Sequence, residues 1–273
     1  MKRLVPILVL LVSLALACTQ AQPTPTPPPP TATPAPTPTP VPTATPTRAP
    51  AASPTASAGG LGGAFSGSAE ALNKLKSYRY VISVKGTGIE AAQPGAGAQP
   101  QSGSFTMEGA HVSPDREYIK FGASDSGAGA AIGSLEAISI GSRTWIKMGE
   151  QWIESPAMQG AQLKGLSPAE SWSDMSKDFP SNSVKPAGKE TVNGVPSQHY
   201  TMTLPNWGAD LGLAGATGDA SGDVWVAEDG QWPVRVVVKA SIQQTGGTKG
   251  EVEFTMNITN INDASIKIDP PLP

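Results

Sequence analysis

The chain has 273 residues, one cysteine, 28 prolines, and 19 basic against 22 acidic residues. A lone cysteine excludes an internal disulfide, so an exported domain must fold on its apolar core alone. The net charge of −3 argues against nucleic acid or an anionic membrane surface as an electrostatic partner.

Lys2 and Arg3 precede an apolar run from Leu4 to Leu16, broken only by Pro6 and Ser13. A membrane-spanning helix needs about 20 apolar residues. The run is shorter, and with its basic start it reads as a secretory signal segment, 1–17. Leu14-Ala15-Leu16-Ala17-Cys18 sets small residues directly before the only cysteine. This stretch resembles the bacterial lipobox, with Ala15 where Leu is usual. The resemblance implies a diacylglyceryl group, with palmitate, on Cys18. It also implies residence on the outer, extracytoplasmic face of the cell membrane. Two acyl chains anchor a protein stably where one binds only marginally.

Residues 18–67 read as a linker. Fourteen of the 28 prolines fall between Pro23 and Pro54, mostly interleaved with Thr and Ala. Proline removes backbone donors and favours extended polyproline II, so this stalk could reach on the order of 150 Å. Its Thr/Ser-Pro composition permits O-glycosylation, and equally a bare spacer. Ala56 to Gly67 adds a Gly/Ser/Ala joint.

Residues 68–273 form one domain-sized region. Lys2, Arg3 and Arg48 lie outside it and no acid does, so 16 basic residues face 22 acidic ones there, net −6. Ser68 is placed to cap a short helix carrying Leu72 and Leu75. Tyr78 to Val84 alternates as a half-buried strand. Ala91 to Gln101 reads as a loop. Strands follow around Phe105–Ala110 and Glu117–Phe121, separated by Ser113-Pro114-Asp115. Gly122 to Gly133 is a second small-residue loop. Leu135–Ile140 and Arg143–Met148 pair about Gly141-Ser142, and Trp152-Ile153 follows another turn. Ser167-Pro168-Ala169-Glu170 is a capping box. It starts a helix with Trp172, Met175 and Phe179 on one stripe, ended by Pro180.

The last third alternates cleanly. Asn193-Gly194 and Asp229-Gly230 predict two-residue hairpin turns. Tyr200/Met202/Leu204, Trp232/Val234/Val236/Val238 and Val252/Phe254/Met256/Ile258 form dry faces opposite polar ones. Asn206 to Asp219 is a loop or a weak helix. Eight to eleven strands with two or three helices predict an α+β fold. Its core would be one large curved antiparallel sheet with helices on the concave face.

Three stretches carry a family resemblance: Gly188–Val195 running into His199-Tyr200; Asp223–Val226 followed by Asp229–Arg235; and Asn260-Ile261-Asn262 before Ile266–Pro271. In this order the chain resembles the LppX/LprG lipoproteins of the LolA/LolB-like superfamily. The resemblance implies a half-barrel sheet over helices, with an apolar cavity for a lipid, glycolipid or acyl chain. It further implies lipid transport in the envelope.

Catalytic and cofactor chemistry finds little footing. There is no Gly-x-Ser-x-Gly elbow and no phosphate loop. Gly127, Gly129 and Gly133 are spaced one residue too long for a dinucleotide fingerprint. His111 and His199 suggest no zinc spacing without a cysteine, and His199 lies on a polar strand face. The chain reads as a non-enzyme with no cofactor and as a monomer. The candidate cavity-lining residues are Ile82, Val84, Phe105, Met107, Ile140, Trp145, Trp172, Met175, Phe179, Met202, Trp225, Val236, Phe254 and Met256. The same residues would equally build a solid core. In that case the domain would be a protein-interaction or stress-sensing module, since periodicity alone does not separate the two.

Overall fold

In the computed structural model, residues 65, 67–93, 96–124, 135–155, 166–176, 179, 183–205, 207, 217–244 and 247–271 are described. Cys18, the signal segment and the stalk lie outside them. So do most of the Gly122–Gly133 and Asn206–Asp219 stretches.

Eleven strands build one open, wholly antiparallel sheet. They are β1 (Ser77–Gln93), β2 (Ala96–Val112), β3 (Arg116–Ser124), β4 (Leu135–Ile140), β5 (Arg143–Met148), β6 (Gln151–Glu154), β7 (Val184–Val192), β8 (Val195–Leu204), β9 (Ala220–Ala227), β10 (Pro233–Gln243) and β11 (Lys249–Thr259). Their order across the sheet is β6-β5-β4-β3-β2-β1-β11-β10-β9-β8-β7. The chain thus meanders outward from β1 to one edge, crosses through a helix, and meanders back from the other edge. Among the described strands the non-sequential pairing joins β1 to β11 at the centre, with Ile82 opposite Met256. Two short helices are described, α1 (Ser68–Asn73) and α2 (Pro168–Ser176).

Several local expectations change. Ala91–Gln101 is not a loop: it belongs to the long arms of the β1–β2 hairpin, paired as far as Gln93 opposite Ala96. Ser68 is the first residue of α1 rather than its cap, and Gly67, at φ 80, holds the cap position. The Ser68 hydroxyl instead donates to the Phe65 carbonyl at 2.6 Å and accepts from Trp172 Nε1 at 2.6 Å. At α2 the capping serine stands as read, with the Glu170 N–H donating to Ser167 Oγ at 3.3 Å. Asn193 and Gly194 both take positive φ, 52 and 79, and close β7 onto β8 in two residues. The β9–β10 turn differs. Positive φ falls on Gly230 and Gln231, and the Ala227 N–H donates to the Trp232 carbonyl, so four residues make that turn.

One face of the sheet is dry. Its residues join Leu72, Trp172 and Met175 of the helices in one buried cluster. Phe65 knots the layers together. Its ring meets Trp172 at 5.1 Å, Tyr200 of β8 at 5.5 Å and Phe179 at 6.0 Å, all edge-on, a favoured geometry for aromatic pairs. The opposite face is mostly polar, and the tail covers an apolar part of it. There Ile266 and Ile268 pack with Ala110, Val112, Tyr118 and Ile138, and Arg116 donates to the Ile268 carbonyl at 2.6 Å.

Candidate functional site

Paired residues of neighbouring strands share a face, so the register sorts the candidate residues directly. One lateral row on the dry face runs Phe121–Met107–Ile82–Met256–Val236–Val224–Tyr200 across seven strands. The next row runs Phe105–Val84–Phe254–Val238–Gly222–Met202–Val184. Eight of the predicted residues therefore lie side by side in two adjacent rows. Trp172 and Met175 on α2, and Phe179 beyond it, pack with the same cluster.

Ile140, Trp145 and Trp225 do not belong to this surface. Ala137 is opposite Ile119 and Ile146, all on the dry side, which puts Ile138 and Ile140 on the other side. Trp145 pairs with Ile138 and is buried there, with the Arg143 guanidinium 4.6 Å from its ring. Trp225 stands opposite His199 and Arg235 on the polar face. Its indole is stacked on His199 at 4.6 Å with Arg235 5.3 Å away, and its N–H donates to Glu190 Oε1 at 2.5 Å. His199 Nε2 also meets Asp223 at 2.8 Å, which satisfies this polar-face histidine locally. Of the six tryptophans, Trp172, Trp207 and Trp232 join the core.

Burial is uneven along the dry face. Ile82, Met107, Trp172, Met175, Met202, Val236 and Met256 are buried, whereas Val84, Phe105, Phe179 and Phe254 are only partly covered. The Phe105–Val84–Phe254 end of the second row is therefore the open end. Toward the β6 edge the same face ends in Ile153 and Met148, exposed by 47% and 65%.

The face also holds a polar group to which the sequence reading gave no role. Glu117, buried on β3, accepts from the Tyr80 hydroxyl at 2.9 Å and lies 2.8 Å from His111 Nδ1. The His111 ring stacks on Tyr78. Burial pushes the Glu117 carboxyl above its usual range, against the pull of His111 and Tyr80. The Tyr78 phenol is raised too, by burial first and the Glu117 charge second. The signal was present in the order Glu117-x-Ile119-x-Phe121, a carboxylate in phase with two core residues.

An open groove of 620 Å³ lies on the polar face, lined by Lys85, Thr203, Ser221, Lys239, Glu251 and Glu253 among others. Its lining is hydroxyls and charges, so it is not the apolar site expected from the sequence. Among the described residues no cluster of three His, Cys, Asp or Glu suits a metal ion, and no helix is long and apolar enough to cross a membrane.

No family model and no curated protein matches the chain. Among solved structures it is similar to the lipoprotein LppX of Mycobacterium tuberculosis, at 17% identity and TM-score 0.42, over 77% of this chain and 98% of that one. It is similar to LprF of Mycobacterium bovis at 13% identity and TM-score 0.46, over 81% and 100%. A LolA superfamily protein of Nitrosomonas europaea follows at 10% identity and TM-score 0.24, over 73% and 94%. TM-scores below 0.5 carry no functional weight, and the site stands on its own residues.

Proposed function

We propose that the chain is a lipid-anchored extracytoplasmic protein that binds a lipid or other apolar ligand against the dry face of its sheet. The carrying observation is the half-buried Phe105–Val84–Phe254 row beside a core that contains Met107, Met175, Met202 and Met256. Partly exposed aromatic and aliphatic side chains offer an apolar ligand area to cover, worth about 25 cal/mol per Å². Unbranched methionines behind them can repack around an incoming chain at small cost. Hand-over of the ligand to another envelope component would be the use of a tethered binder on a long stalk. The test is native mass spectrometry of the purified chain carrying Cys18→Ser, followed by titration with a fluorescent acyl probe. Co-purified lipid, or probe uptake weakened by Phe105→Asp, is expected. A chain that carries no lipid and takes up no probe sinks the reading.

A second reading has its own observation. Trp172, Val236 and Met256 are fully sealed by protein, as in a solid core. A domain of this kind would bind protein partners or monitor the envelope through its surfaces, and it would take up no acyl probe.

A further inference from the structure

The dry face ends in a polar row. Tyr78, His111, Glu117, Ser139 and Thr144 stand opposite one another across β1 to β5. Four of them, Tyr78, Glu117, Ser139 and Thr144, are well buried. Both Glu117 oxygens are engaged, one by Tyr80 and one by His111. Tyr78 differs. Its side chain is 0% exposed, its ring is stacked on His111 at 5.0 Å, and its hydroxyl has no hydrogen-bond partner among the described residues. A sealed hydroxyl with no partner destabilises the folded state, and such groups are rare enough in native proteins to require a reason.

We propose that Tyr78, beside the His111–Glu117 pair, receives the polar end of an amphiphile whose chain lies along the dry face, and that this polar end is uncharged. The proposal rests on the ligand-binding reading above. The direction comes from β1. Tyr78 and Val84 are six residues apart on one strand, about 20 Å at the rise of an extended chain. The polar row and the half-buried Val84 row are thus the two ends of one apolar track. A ligand enters over Phe105, Val84 and Phe254 and runs toward Tyr78. The ligand-free core is closed over the hydroxyl, and the occupant supplies the missing partner.

The charge rule follows from the same residues. Glu117 is a buried acid whose oxygens are already taken up by Tyr80 and His111, and the row holds no Lys or Arg, so an anionic head would lie beside that acid with nothing to offset it. A cationic head would have to displace Tyr80 or His111 from oxygens already engaged. A hydroxyl or an ester carbonyl does neither, and it can pair with the Tyr78 hydroxyl as donor or acceptor.

The experiment compares three probes on the purified chain carrying Cys18→Ser. They are a 1-monoacylglycerol, the fatty acid of equal chain length, and a fluorescent alkyl probe with no hydrogen-bonding head. The monoacylglycerol is expected to bind tightest. Tyr78→Phe should weaken it about 3- to 10-fold, the worth of one hydrogen bond, and leave the alkyl probe unchanged. Unfolding curves of Tyr78→Phe, expected to be as steep as the parent's and at least as late, separate this from misfolding. Equal binding of monoacylglycerol and alkyl probe, tighter binding of the fatty acid, or a Tyr78→Phe effect shared by all three overturns the proposal while leaving apolar binding intact. If none of the three binds, the ligand-binding reading itself falls, and this proposal with it.

Discussion

Replacing Gly109 by alanine tests how the buried polar group is built. Gly109 of β2 stands between Tyr80 of β1 and Ile119 of β3 in one lateral row. The Tyr80 ring lies across it and so reaches past β2 to Glu117 on β3, where its hydroxyl donates at 2.9 Å. A Cβ on Gly109 would run into Cζ and the hydroxyl of Tyr80, and it would lie 2.6 Å from the Tyr118 carbonyl oxygen. The carbonyl belongs to the sheet ladder and cannot yield, so the ring must lift. Overpacking of this kind costs about 1–3 kcal/mol. Loss of a hydrogen bond to a charged group adds about 1.5–3 kcal/mol. Together these give roughly 2.5–6 kcal/mol, a large share of the ~5–15 kcal/mol that holds a typical domain.

Urea unfolding followed by tryptophan fluorescence measures the change. Tyr80→Phe should cost only the hydrogen-bond part, about 1.5–3 kcal/mol. Tyr80→Leu clears the space above Gly109, so Gly109→Ala should cost at least about 1 kcal/mol less in that background than alone. Strict additivity of the two substitutions, or a Gly109→Ala variant within about 0.5 kcal/mol of the parent, would refute the account.

Three further outcomes are expected. Burial raises the Glu117 carboxyl, so the folded chain holds that proton more tightly than the unfolded one. The contribution is complete below the unfolded value of about 4.3 and is lost as pH rises through the higher folded value. Glu117→Gln keeps an acceptor for Tyr80 and removes that loss, so its stability relative to the parent should grow with pH above about 4.3; a difference constant with pH would contradict this. Trp172→Phe removes the donor to Ser68 Oγ that joins the two helices and should cost about 1–3 kcal/mol in urea unfolding. Cys18→Ser should move the protein from the membrane fraction to the soluble fraction of cells producing it, and retention in the membrane would argue against lipidation.

Most of the sheet was legible because period two is a strong signal when one face is dry and the other wet. Eight residues chosen by apolarity, from Ile82 to Met256, fall in two adjacent rows for that reason. Ile140 and Trp145 were misplaced where the rule loses its contrast. On β4 the dry side carries Leu135, Ala137 and Ser139, and the other side carries Ile138 and Ile140. That other side is no drier by topology; the tail residues Ile266 and Ile268 cover Ile138 there. A strand apolar on both sides gives no parity to read, and the covering segment lies over a hundred residues away. Trp225 failed differently. Its neighbours Val224 and Val226 were in phase with the core, but a tryptophan draws any apolarity-based choice toward itself. In the structure a histidine and an arginine shield it instead. The Ala91–Gln101 stretch was misread because Gly, Ala and Gln have weak strand propensity; cross-strand pairing to β1 overrides it.

The ligand-binding and solid-core readings need not compete over the whole sheet. The helix layer reaches the return wing through Phe65 against Tyr200 of β8 and α1 against β10. There Val224, Val234 and Val236 have no exposed surface, and that wing is full. The outward wing differs. Ile119 and Ala137 are sealed, yet the same face opens at Phe105 and Val84 on one side and at Ile153 and Met148 on the other. The sealed valines of that wing, beside the β11–β1 pairing, give the face one closed wall. The adjacent, partly covered wing is where an apolar guest meets the least packing to displace. The central β1–β11 pairing joins the two, with the polar row at the start of β1 and the open row six residues along it, at Val84. Substitutions in the filled wing should therefore register first as lost stability, and substitutions at the partly covered Val84 and Phe105 first as altered ligand uptake.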